Sequence, residues 1–208
     1  MLDTSRTVSR PPLRTRRIAL RPAESSDARF VYDLMLEQGT LTMRSFDDFS
    51  DRFGQQTLIG FIVSSVKTGD AVGYTNLYDA DLSLGHCYVG GAMRTDRIGS
   101  GLGIEGVGLT INYAFQTWRF RKLYAGVTEA SARYFSSTLG SLLREEGRLR
   151  QHLFFAGEYW DLVIMALYRD DWAEWMEKRR PLLDALVGEA ASTQNRSRES
   201  AGREGRDG

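Results

Sequence analysis

Apolar and polar side chains alternate over residues 17–22, RIALRP, which is the period of a strand with one buried face, and Pro22 marks it as an edge strand. Over 27–37 the period lengthens. Phe30, Val31 and Leu34 recur at helical spacing behind Ser25 and Ser26, either of which can cap a helix. SFDDFSDRFGQQ (45–56) predicts a second short helix. LIGFIVSSV (58–66) and AVGYTNLY (71–78) then predict two antiparallel strands. Lys67-Thr68-Gly69-Asp70 joins them, and its glycine supplies the positive φ of a hairpin turn. GHCYVGGAM (85–93) is a third strand of this meander. Ile104, Val107, Ile111, Ala114 and Phe115 next share one helix face. KLYAGV (122–127) predicts a buried strand, and a polar helix starts near Ser131. GRLRQHLFF (147–155) and EYWDLVIMALY (158–168), joined across Ala156-Gly157, predict a longer hairpin. DDWAEWMEKRRPLLDALV (170–187) predicts a surface helix interrupted at Pro181.

The pattern runs from about residue 17 to about 187 without an internal repeat or a linker, so one domain is expected there. The first 16 residues carry four arginines and one acid around Pro11-Pro12, and are expected to form a disordered basic arm. Residues 188–208, mixed in charge and rich in Gly and Ser, are expected to be a disordered tail. In the whole chain of 208 residues Lys+Arg and Asp+Glu are both 27. That balance gives no electrostatic footprint for nucleic acid. The longest apolar run near the end, 162–167, is far too short to cross a bilayer, so no membrane partner is expected. The single cysteine, Cys87, permits no internal disulfide and no paired-cysteine metal site, which suits a cytoplasmic protein without a metal.

The chemistry concentrates in RIGSGLGIEG (97–106), where Gly101, Gly103 and Gly106 spell G-x-G-x-x-G at the start of a helix. Unpaired N–H groups and the helix dipole make such a turn an anion site. A nucleoside-triphosphate loop needs Gly-Lys-Ser/Thr, and no lysine is present in this stretch. A dinucleotide fold would use Glu129, 23 residues beyond Gly106, for the ribose. It would also place the fingerprint at the first βα turn of a parallel sheet, whereas here an antiparallel meander precedes it.

Three segments together resemble the GNAT superfamily of acyl-CoA-dependent N-acyltransferases, over residues 17–170, in the branch that acetylates ribosomal-protein N-termini, polyamines and aminosugars. LRPAESSD (20–27) is similar to that branch's opening Leu-Arg-Pro…Asp. Ile98-Gly99-Ser100-Gly101-Leu102-Gly103 is similar to its pyrophosphate motif, with Ile98 where Gln or Arg is usual. REEGRLRQHLFFAGEYWD (144–161) is similar to its late hairpin, through Glu146, Gly147, Leu149, Gly157 and Asp161. The resemblance implies an α/β (α+β) fold, a mixed and mostly antiparallel sheet of about seven strands with splayed central strands, flanked by helices. It implies acetyl-CoA, or another short acyl-CoA, as co-substrate and no metal. The pantetheine arm would pair with Ala92, Met93 and Arg94. The pyrophosphate would lie on the backbone of Ile98, Gly99, Ser100, Gly101, Leu102, Gly103 and Ile104. Thr128 and Ser131 stand where the family has Asn-x-x-Ser.

Proton transfer needs a base for the amine and an acid for the thiolate. His152 lies on the strand that borders the acceptor pocket in the family, and imidazole suits a base near neutrality. Ser131 is the acid carried by the motif, and Tyr134 offers a more acidic hydroxyl. His86, at a strand start, and Asp161 and Glu105 are expected to be structural, and Cys87 a core residue, which favours direct attack in a ternary complex over ping-pong chemistry. The expected acceptor is a small-molecule amine. A protein N-terminus, and a non-catalytic acyl-CoA-binding protein on the same scaffold, are the alternatives. The late hairpin with Trp160 offers a surface for a homodimer.

Overall fold

The computed structural model describes residues 13–38, 45–128, 142–155 and 157–178. Seven strands form one sheet: β1 (Ile18–Pro22), β2 (Thr57–Ser65), β3 (Ala71–Asp81), β4 (His86–Met93), β5 (Lys122–Thr128), β6 (Leu143–Phe155) and β7 (Glu158–Tyr168), in the order β1-β2-β3-β4-β5-β7-β6. Every neighbouring pair is antiparallel except β4 and β5. A single parallel pair is incompatible with the doubly wound sheet of a dinucleotide fold. The expected β1 edge strand, the 58–78 hairpin and the late hairpin all form, with Gly69 at φ 80° and Gly157 at φ 82° in the turns.

One face of the sheet carries α3 (Leu102–Thr117) and the helix over residues 169–178, around Leu77, Cys87, Leu123, Ile111, Phe115 and Trp172. The other face carries α1 (Ala28–Glu37) and α2 (Phe46–Arg52), with Val31 and Leu34 packed on Ile62, Tyr74 and Ala92. Small residues let α3 lie close to the sheet. A Cβ at Gly91 would come 2.9 Å from Val107 Cγ2, and one at Gly106 would come 3.1 Å from Val63 Cγ2. Between these points a fully buried Thr75 hydroxyl meets Thr110 Oγ1 at 2.7 Å, and Thr110 passes its own proton to the Gly106 carbonyl.

Three local expectations need correction. Neither Ser25 nor Ser26 caps α1; a short 3-10 turn, Ser25–Asp27, precedes it, and Asp27 accepts the Glu24 N–H at 2.8 Å. The same carboxylate takes both ends of the Arg21 guanidinium at 2.7 and 2.6 Å, so Leu-Arg-Pro…Asp is a clasp between β1 and α1. The strand at 122–127 is buried on one face only, because Leu123 and Val127 face α3 while Lys122 and Tyr124 are half-exposed opposite. The late hairpin starts at Leu143, four residues before the expected Gly147. The polar helix expected from Ser131, and the segments expected to be disordered at either end, lie outside the described residues, apart from residues 13–16.

Arg169 closes the lower end of the domain. Its guanidinium donates to the carbonyls of Phe115, Trp118 and Phe120 at 2.6, 2.5 and 2.5 Å, and stacks 5.0 Å from the Phe115 ring centre. These carbonyls belong to the last turn of α3 and the chain leading to β5, which would otherwise lack partners. Among the described residues no helix is long and apolar enough to cross a membrane.

Candidate active site

The glycine stretch turns twice through the left-handed region, with Gly99 and Gly101 both at φ 80°. Gly101 is the N-cap of α3 and offers no side chain to the helix N–H groups. Ser100 N–H is used by Arg97 O at 3.2 Å, and Leu102 N–H reaches Ser100 Oγ at 3.3 Å. The N–H groups of Gly99, Gly101, Gly103 and Ile104 find no acceptor among the described residues. They gather at the positive end of a 16-residue helix, the arrangement that suits a pyrophosphate. Gly103 has a separate packing reason to be glycine: a Cβ there would come 2.9 Å from Met93 Cγ.

The loop is braced from the chain entering β1. Arg17 donates from Nη1 to Ser100 O at 3.0 Å and pairs with Glu105 at 2.5 Å, and the Thr15 hydroxyl donates to the other Glu105 oxygen at 2.9 Å. Glu105 therefore has the structural role expected of it. The brace itself was not legible, because Thr15 and Arg17 lie about ninety residues before their partner. Ile98 points into solvent, 54% exposed.

Beside the loop the sheet opens. β4 and β5 pair only at His86↔Lys122, Cys87↔Leu123 and Tyr88↔Tyr124, and then separate. Arg94 N–H donates to Val72 O, so by the alternation of an antiparallel ladder Ala92 and Arg94 turn their backbone groups toward β3. Val89, Gly91 and Met93 thus own the edge facing the opening. Of the three residues expected to offer their backbone there, Met93 is the one so turned, and its carbonyl accepts from Gln38 Nε2 at 2.5 Å. Thr128 is half-buried at the far end of β5.

Between α1 and α2 on one side and β3 and β4 on the other lies a cavity of about 580 Å³. Phe49, Phe53, Tyr74 and Tyr78 give it an aromatic wall; Gln38, Gln55, Gln56 and Asn76 give it amides; Gly90, Gly91 and Ala92 connect it to the open edge of β4. Gly90 makes room for Asn76, since a Cβ there would stand 2.6 Å from Asn76 Oδ1. Burial pushes the Tyr74 phenol upward, against a hydrogen bond with Thr57. A row of rings runs from the cavity along this face, with Tyr78 to Tyr88 at 5.4 Å and Tyr88 to Tyr124 at 5.2 Å. Tyr124 donates to Glu146 at 3.1 Å, and Glu146 also pairs with Lys122 at 2.6 Å and accepts from Tyr168. Lys122 and Tyr168 hold the Glu146 carboxyl below its ordinary range. Burial and the neighbouring Tyr124 and Asp79 raise the Tyr88 phenol, so it keeps its proton near neutrality.

Of the sequence-derived acid–base residues, only His152 is among the described residues, and it is not at this cavity. His152 is exposed on edge strand β6, next to a bulge in which Gln151 takes φ 51°, and it is not a lining residue. Ser131 and Tyr134 lie outside the described residues. Asp161 accepts the Gln151 N–H at 2.9 Å and faces Arg148 at 3.6 Å, so it pins the bulge. Cys87 is fully buried, and burial pushes its thiol up to about 12, far from a nucleophile's range. Of the aromatic residues in the late hairpin and the helix after it, Phe154 and Tyr159 are exposed and touch each other, and Trp172 is core. Missed were Tyr88, Tyr124 and the polar cavity lining, whose contributions come from α1, α2, β3 and β4 at once.

No family model matches the chain, and no curated protein matches it by sequence. Its shape has clear counterparts. Mutant forms of the spermidine/spermine N-acetyltransferase SpeG from Vibrio cholerae superpose with a TM-score of 0.68 at 18% identity, over 76% of this chain and 97% of that one. The Vibrio cholerae spermidine N-acetyltransferase in complex with CoA and spermine gives 0.66 at 18%, over 76% and 98%. With the β4–β5 opening and the glycine turn ahead of α3, this likeness makes the chain's fold that of the GNAT N-acyltransferases.

Proposed function

We propose that the protein transfers an acetyl or other short acyl group from its CoA thioester to the primary amine of a small molecule, by direct attack in a ternary complex. One observation carries the reading: four N–H groups at the α3 N-terminus, without acceptors among the described residues, stand beside the unpaired edge of β4, and a cavity opens onto that same edge. A CoA molecule needs an anion site, a strand edge for its amide-bearing arm and an acceptor chamber where the arm ends. The solved counterparts include an N-acetyltransferase bound to CoA and spermine, which supports the same reading.

The residues divide the work as follows. Gly99, Gly101, Gly103 and Ile104 would hold the pyrophosphate, with Arg17 and Glu105 keeping the turn in shape. The backbone of Val89, Gly91 and Met93 would align the pantetheine amides. Acetyl-CoA would supply the activated thioester carbonyl, and a β4 N–H at the opening would polarise it. The cavity orients the amine and excludes bulk water. Tyr88, protonated and at the point where β4 and β5 part, is our candidate to return a proton to the departing thiolate. His152 remains the proposed acceptor of the amine proton. Its exposure leaves water as the carrier between it and the cavity. Ser131 and Tyr134, the acids expected from the sequence, lie outside the described residues and stay alternatives to Tyr88 for the thiolate's proton; Thr128 keeps the cofactor-binding role that the resemblance gave it, and the cytoplasm is the compartment proposed.

Release of CoA thiol from acetyl-CoA across a panel of primary amines tests the proposal. Amine-dependent thiol release, with the acetylated amine identified by mass, is the expected result. Binding of CoA without turnover of any amine would favour a non-catalytic acyl-CoA-binding protein. Acetylation of peptide N-termini in preference to every small amine would move the acceptor to proteins.

A further inference from the structure

The cavity is unlike a polycation site. Of its described lining residues only Arg52 carries a charge, and neither aspartate nor glutamate is among them. The Arg52 guanidinium makes no ion pair or hydrogen bond among the described residues, although α2 also carries Asp47, Asp48 and Asp51. Several other surface arginines do find acids: Arg21 with Asp27, Arg29 with Asp33, Arg94 with Asp96. Arg52 is left over at the last turn of α2, on the cavity rim opposite the β4 edge. Between rim and edge runs an apolar body of Phe49, Phe53 and Tyr74, with ring centres 5.7 and 6.2 Å apart in sequence.

We infer that the acceptor is a primary amine joined through an apolar body to a carboxylate, which Arg52 receives at the rim while the amine lies at the β4 opening. The inference deepens the acyltransferase reading and rests on it. The amine end needs no fixed carboxylate, because it must lose its proton to react. A second ammonium, as in a diamine, would meet Arg52 with no acid among the described lining residues to offset it, and a pocket charge of the wrong sign discriminates by about tenfold or more. A carboxylate there makes a charge-assisted, bidentate pair instead.

Two matched sets of acceptors test this, with acetyl-CoA and the full chain. The first is γ-aminobutyrate, butylamine and putrescine; the second is aminomethylbenzoate, methylbenzylamine and xylylenediamine. Within each set only the far group changes, from anion to neutral to cation. The expected order of kcat/KM is anion, then neutral, then cation, with about tenfold or more between the extremes. Arg52→Gln should flatten the order, and Arg52→Glu should reverse it, chiefly through KM. Stabilisation of each variant by CoA, read separately by thermal unfolding, shows whether the cofactor half of the site is intact. Absence of that stabilisation in the parent would count against the acyltransferase reading itself. With it present, diamines used as well as amino acids, a ratio unmoved by Arg52→Glu, or no turnover of either set would overturn this inference alone.

Discussion

Arg169 makes the sharpest stability prediction, because one side chain satisfies three carbonyls. Replacing it with Met keeps most of the aliphatic stem against Phe115 and removes all three donors. Hydrogen bonds to a charged donor contribute about 1.5–3 kcal/mol each, but Arg169 is half-buried and water can reach part of the vacated space. Counting about 1 kcal/mol for each carbonyl left poorly satisfied gives about 3 kcal/mol. For a domain of this size that corresponds to a fall in Tm of about 6–12 °C. Arg169→Lys can reach one carbonyl where the planar fork reaches three, and should recover about a third of the loss. Thermal unfolding by circular dichroism, checked by calorimetry, measures both. Since α3 places the glycine turn about 24 Å away, CoA affinity at a temperature where the variant is folded should not change. A Met variant melting within about 2 °C of the parent would refute the reasoning, as would a Lys variant indistinguishable from it.

Gly99→Ala adds a Cβ into open space, so its only penalty is the left-handed backbone, about 1–2 kcal/mol; CoA should bind about tenfold more weakly by titration calorimetry while the fold persists. For Asp27, Arg21 and the Glu24 N–H depress the folded-state pKa, so its contribution is present above the unfolded value of about 3.9 and is lost as pH falls through the lower folded value. Asp27→Asn should therefore cost about 1 kcal/mol at pH 7, with the gap to the parent closing on acidification in a pH series of denaturant melts. Tyr88→Phe should lower kcat about tenfold or more, with KM for acetyl-CoA nearly unchanged. His152→Gln should instead lower kcat/KM about tenfold or more, and an unchanged kcat/KM would take His152 out of the mechanism.

Much of the fold was legible because its signals are local. The 58–78 hairpin follows from alternation plus Gly69, and α3 follows from apolar spacing after the glycines. The anion turn was legible for the same reason, since Gly99 and Gly101 do adopt the positive φ that only glycine takes without strain. What escaped depends on chain segments far apart. Nothing in GHCYVGGAM or KLYAGV says that their pairing stops at Tyr88↔Tyr124. Alternation identifies which β4 side chains share a face, but the direction of its backbone groups depends on β3, which is why Ala92 and Arg94 were expected at an edge they do not face. Arg52 reads as one more helix-end cation until α1, β3 and β4 enclose the cavity beneath it. Arg169, at the end of an apolar strand, reads as surface until the end of α3 is seen to need its donors. His152 came from a family register along the late hairpin, and a bulge between Leu149 and Leu153 alters that register.

Every functional step above depends on the turn at 97–103 holding the pyrophosphate of CoA beside an open sheet edge. Thermal unfolding with CoA, acetyl-CoA, NADH and NADPH in parallel tests this most directly. A ligand at 100 times its Kd adds about 2.7 kcal/mol, or about 5–10 °C here. CoA and acetyl-CoA should give that shift, and the nicotinamide cofactors none. A shift from NADH or NADPH with none from CoA would contradict the assignment of the turn.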